Sequence, residues 1–105
     1  MVRKAFTMTL KPGMWIEYEQ RHNPIWPELQ QVLKDHGVHN YSIFFDRSSN
    51  RRLFAYAEIE SEDKWRAIAG TEVCQRWWAH MKDLMLTHDD NSPVTSDLEE
   101  VFHID

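Results

Sequence analysis

Cysteine is almost absent from this chain: the single Cys74 excludes an internal disulfide and with it the disulfide-stapled class of small secreted folds. Glycine is nearly as scarce, at three widely spaced residues, which excludes a phosphate-cradling glycine loop. Basic side chains are in deficit, 12 against 17 acidic ones, for a net charge of −5. A chain of that sign gains little from counterion release on a phosphate backbone, so nucleic acid is not expected as a partner. No apolar run approaches the ~18 residues of a membrane span, and the opening MVRKAFTMTL lacks a signal-peptide core and cleavage site. The expectation is a soluble, cytoplasmic protein with no membrane partner.

What is present is ordinary in bulk and unusual in one respect. With 105 residues, 42% hydrophobic and 28% charged, the chain is expected to form a single globular domain over residues 1–105. Its aromatic content is distinctive, because five of the residues are Trp, beside five Phe and three Tyr.

Along the chain, Val2 to Leu10 alternates, with Phe6, Met8 and Leu10 on one face, as a half-buried strand does. Pro12 suits the first turn of a helix, and from Trp15 the spacing is helical, placing Tyr18 and His22 on one face. HNPIWPEL interrupts that helix, since Pro24 and Pro27 remove donors and push the preceding residues out of the α region. A second helix follows, with Ile25, Leu29, Val32, Leu33 and His36 at core spacing and Gly37 as its stop. Tyr41–Phe45 and Leu53–Glu60 read as a hairpin about a polar turn. Ser61 and Thr71 are placed to cap two further helices, the second carrying Val73, Trp77, Met81 and Leu84 on one stripe. Leu86–Asp97 reads as a loop and Leu98–Ile104 as a last strand. The order β-α-β-β-α-β predicts an α+β, ferredoxin-like fold with helices on one face of an antiparallel sheet. The other face would expose Tyr41, Ile43 and Phe45, or else Phe54 and Tyr56, and so predicts a homodimer.

Most chemistry-bearing patterns fail on inspection. The six His include no H-E-x-x-H or Cys/His pairing, and HDDNS at 88–92 lacks the glycine and closing Glu of a calcium loop, so no metal site is expected. Cys74 lies on a helical apolar stripe as a small hydrophobe. Arg51, Arg52, Phe54 and Tyr56 approximate an RNA-binding strand but lack its glycine and its charge. Tyr18, His22, Tyr41, Trp77 and Trp78 remain. Adjacent Trp residues differ by ~100° on a helix and cannot both enter one core, so one can line a pocket. Aromatic walls with hydroxyls and one imidazole suit a small polar ligand such as a sugar. On spacing alone, two core Trp and a surface His22 are an equal reading.

RKAF (3–6), EYEQRHNPIWPEL (17–29), HGVHNYSI (36–43), VCQRWW (73–78) and DNSPV (90–94) together resemble the L-rhamnose mutarotase family across nearly the whole chain. The resemblance implies a dimeric α+β barrel that interconverts the α and β anomers of L-rhamnose without a cofactor. It implies His22 as proton donor and Tyr18, Tyr41, Trp77 and Trp78 as sugar-contacting residues. The turn at 46–52, basic and serine-rich here, is where the sequence departs from the family. Two alternatives stay open: a cofactor-independent or haem-linked monooxygenase on the same barrel, and a non-catalytic small-ligand-binding module.

Overall fold

A computed structural model describes residues 1–105. Four antiparallel strands, β1 (Val2–Thr9), β2 (His39–Phe45), β3 (Arg52–Ile59) and β4 (Thr95–Leu98), lie in the order β2-β3-β1-β4. Helices α1 (Trp15–His22) and α2 (Pro27–Asp35) connect β1 to β2, and α3 (Glu62–Ile68) and α4 (Glu72–Met81) follow β3. A 3₁₀ turn, Lys82–Leu84, extends α4. This is the expected α+β arrangement.

Local chemistry fixes most element ends. The Ser61 and Thr71 side chains accept hydrogen bonds from the Lys64 and Cys74 amides, at 3.1 and 3.3 Å, and so start α3 and α4. Pro27 sits in the first turn of α2, where its missing N–H costs nothing. Gly37 ends that helix with φ +77°, a conformation glycine reaches without penalty. Pro12 is displaced from the helix start expected for it. It and Gly13 form a turn, and α1 begins only at Trp15.

Alternation along the strands decides which face is covered. Phe6, Met8, Leu53, Ala55, Ala57 and Ile59 are buried beneath the helices, with Tyr41, Ile43 and Phe45 packed beside them. Phe44, Phe54 and Tyr56 therefore lie on the opposite face, where Phe44 pairs across to Phe54 and is 65% exposed. Between the two candidate sets for the open face, the structure selects the second and adds Phe44.

The last strand is corrected. It spans Thr95–Leu98, inside the stretch expected as loop, and Glu99–Asp105 has no regular structure. The register explains this. Leu98 pairs with Ala5, so continuing the ladder brings Val101 opposite Val2, and residues beyond it have no strand to meet. Glu100 instead grips Arg3 through two 2.8 Å hydrogen bonds, and Val101 and Phe102 stay exposed.

Candidate active site

Between the covered sheet face and the helices lies a cavity of about 1420 Å³, with a lining that is mostly hydrophobic. Each of the five residues singled out in the sequence lines it: Tyr18, His22, Tyr41, Trp77 and Trp78. They come from three elements. Tyr18 and His22 lie one turn apart on α1, and their rings are 4.3 Å apart at the centroids. Trp77, on α4, meets the His22 ring edge-on at 5.1 Å and 89°. Trp77 is buried, with 8% of its surface exposed, while Trp78 is half-buried against both parts of the core. Both Trp residues pack and both reach the cavity, so the expected division of labour is one of degree.

Tyr41 arrives by a different device. The β2–β3 register shifts between His39 and Ser42, and Asn40 takes a left-handed φ of 47°. Bulges of this kind re-aim the next side chain. Asn40 is held there by its side-chain amide, which donates to Glu58 Oε1 at 2.9 Å. Tyr41 then lies T-shaped against Trp65, with centroids 5.9 Å apart.

The polar groups of this site are short of partners. The Tyr18 and Tyr41 hydroxyls and the Trp77 and Trp78 indole N–H groups make no hydrogen bond within the protein. No buried side-chain polar atom lacks a partner, so each of these four keeps solvent-accessible surface. Burial raises the pKa values of both phenols well above the ordinary tyrosine value, and at Tyr18 the nearby Tyr41 adds to the effect. Both therefore remain neutral and able to donate.

His22 is set up differently. Its Nδ1 lies 2.9 Å from the Tyr18 carbonyl oxygen, which can only accept, so Nδ1 carries the proton. The lone pair of the neutral ring is then on Nε2. Desolvation lowers the His22 pKa below the ordinary histidine value, against the opposing pull of that carbonyl. At neutral pH the site holds an uncharged imidazole with a free basic nitrogen. Such a nitrogen can accept a hydrogen bond or a proton.

Cys74 also lines the cavity, but burial pushes its thiol up to about 11, which removes it as a nucleophile at neutral pH. No cluster of three or more His, Cys, Asp or Glu side chains is assembled to hold a metal ion. Sequence spacing did not place Trp15, Trp65, or Asn91, Ser92 and Pro93 at the cavity. The last three stand in DNSPV, so the motif that carries the resemblance was their one available signal.

Comparison with known proteins points in one direction. A family model described as L-rhamnose mutarotase matches residues 3–104. The L-rhamnose mutarotase of Enterobacter sp. (strain 638) is 58% identical over 105 residues, covering 100% of both chains. That of Shigella flexneri serotype 5b is 59% identical over 104 residues, 99% of each. The crystal structure of an L-rhamnose mutarotase from Formosa agariphila superposes with a TM-score of 0.91 at 43% identity, covering 100% of each chain. A protein from Nitrosomonas europaea described as an antibiotic biosynthesis monooxygenase matches at TM-score 0.65 but only 12% identity, over 97% of this chain and 100% of its own. That second likeness concerns the fold alone.

Proposed function

Since the chain belongs to the L-rhamnose mutarotase family and is a carbohydrate isomerase of that kind, we propose that His22 moves the proton that opens and recloses the sugar ring. The observation that carries this reading is the tautomer: Nδ1–H is committed to the Tyr18 carbonyl and Nε2 is left free at the cavity.

The chemistry follows from the groups present. Nε2 takes the proton from the anomeric hydroxyl while the bond from C1 to the ring oxygen breaks and that oxygen takes a proton from solvent water in the cavity. The open aldehyde turns about C1–C2 and presents its other face. On reclosure the ring hydroxyl returns its proton to solvent water, and the protonated His22 gives its Nε2 proton to the new anomeric oxygen, which restores the starting state. An imidazole, whose unperturbed pKa is about 6.5, can serve in both directions. General acid–base help of ~10²–10⁴-fold corresponds to roughly 3–5 kcal/mol. The Tyr18 and Tyr41 hydroxyls, kept neutral by burial, hydrogen-bond the sugar's oxygens. Trp77 and Trp78 supply apolar wall for its C–H faces and 6-methyl group. NMR saturation transfer between the two anomeric protons of L-rhamnose tests the function. Exchange above the buffer rate is expected, without added haem, flavin or metal. No acceleration overturns it, and binding without exchange would leave only a ligand-binding module.

The proposal extends to assembly and place. Phe44, Phe54, Tyr56 and Leu98 lie on the sheet face the helices leave bare, and apolar patches of that kind are usually covered. A second copy of the chain packed face to face covers them and completes a dimeric α+β barrel. No helix is long and apolar enough to cross a membrane. The reading places the enzyme in the cytoplasm.

A further inference from the structure

We propose that Arg21 and Asp83 form a positioning pair that fixes the distance between α1 and the end of α4, and so holds the His22 imidazole against Trp77. The proposal rests on the proton-transfer role assigned to His22 above.

Helix α1 is two turns long and starts without a side-chain cap at Met14. A helix that short has little stability of its own and takes its position from tertiary contacts. Toward α4 and its 3₁₀ extension, every side-chain hydrogen bond of α1 is made by Arg21. Its Nη1 and Nη2 donate to the two Asp83 carboxylate oxygens at 2.9 and 3.2 Å, a bidentate fork. Nη1 also donates to the His80 carbonyl at 2.6 Å, in the last turn of α4. Nε donates to Glu17 Oε1 at 3.2 Å, one turn back along α1. One planar group is thus tied to both helices at once.

The clamp is adjacent to the reacting group. His22 is the next residue in the chain, and His80 lies three residues beyond Trp77 on α4. The Tyr18–His22–Trp77 contact and the Arg21–Asp83–His80 contact therefore span the same helix-to-helix gap, one aromatic and one polar. The Arg21 hydrogen bond keeps the Asp83 carboxyl below the usual carboxylate range, so the pair stays ionised through neutral pH. The Arg21 side chain is 19% exposed and that of Asp83 62%. Pairs this open contribute little to stability. A displacement of about 1 Å in a proton-transfer group, by contrast, costs up to ~10²-fold in rate.

The test uses Asp83→Asn, Arg21→Gln, their combination, Asp83→Glu and His22→Ala, each assayed with L-rhamnose. For the two single variants the limiting exchange rate is expected to fall ~10-fold or more while half-saturation moves by less than ~3-fold. The double variant should be no slower than either single, as for two halves of one contact. Asp83→Glu should recover part of the rate. His22 ring resonances, shifted by the Tyr18 and Trp77 ring currents, should move in the slow variants while the thermal midpoint stays within a few degrees. A merely structural role would lower the thermal midpoint and leave both the rate per folded site and the His22 resonances unchanged, and that result overturns the proposal. Losses that multiply in the double variant also overturn it. If His22→Ala keeps the full limiting rate, the proton-transfer reading itself fails and the clamp fails with it. If His22→Ala loses the rate and Asp83→Asn does not, only the clamp fails.

Discussion

His22 combines two features that rarely coincide on a surface histidine: a backbone carbonyl that fixes its tautomer and a packed environment that keeps it uncharged. The pH dependence follows in sign. Because burial lowers the folded-state pKa, Nε2 stays free down to a pH below the ordinary value of about 6.5. At rhamnose well below half-saturation, where the profile reports the free enzyme, the exchange rate should be level around neutrality and fall only as pH drops through that lowered value. An acid limb centred above pH 6.5, or a rate that rises on acidification, contradicts the assignment. The two tryptophans give a second check. Trp78 is more accessible than Trp77, whose ring packs against His22 and Trp26. Rhamnose should therefore change the intrinsic fluorescence, and Trp78→Phe should remove more of the response than Trp77→Phe. A response untouched by either substitution places the aromatic wall elsewhere, at Trp15 or Trp65. The Tyr18–His22 pair could be read from its four-residue spacing, because the helix alone sets it. The tautomer could not, since it depends on which acceptor the folded backbone presents to Nδ1.

Elements whose ends are fixed by their own residues were legible in the sequence. Ser61 and Thr71 cap from within one turn, and Gly37 stops α2 by its own backbone freedom. Elements fixed by a distant partner were not. β4 is four exposed residues, TSDL, with no apolar alternation, and only the ladder to β1 makes it a strand. The bulge before Tyr41 is likewise a property of two strands. Its Asn40–Glu58 bond joins residues far apart in sequence. Gly37 gives the prediction at this scale. Alanine there must adopt φ +77° and bring a Cβ against the Glu60 side chain. The left-handed conformation alone costs about 1–2 kcal/mol, which lowers the thermal midpoint by several degrees in a chain of this size. Circular dichroism melting checks it. An unchanged midpoint would show that the backbone relaxes away from the conformation seen here.

At the scale of the whole molecule, one side of the sheet builds the cavity and the other is left bare. A hydrophobic face carrying Phe44 and Phe54 explains why the sequence spends aromatics on both strand alternations of the β2–β3 hairpin. Phe44→Asp should convert a dimer into a monomer by light scattering at micromolar concentration, because a charge buried in such an interface has no partner. A wild-type chain that is already monomeric removes the face-to-face packing. The cavity's function does not depend on that outcome. In the proposed mechanism a proton passes through one imidazole, and the most direct measurement is the limiting anomer-exchange rate of His22→Ala at saturating L-rhamnose. The rate should fall on the order of 10²-fold or more, the scale of losing a general acid–base group, with the fold and the thermal transition preserved. A variant that binds rhamnose more weakly yet exchanges anomers at the wild-type limiting rate would contradict the account, because water would then be carrying the proton assigned to His22.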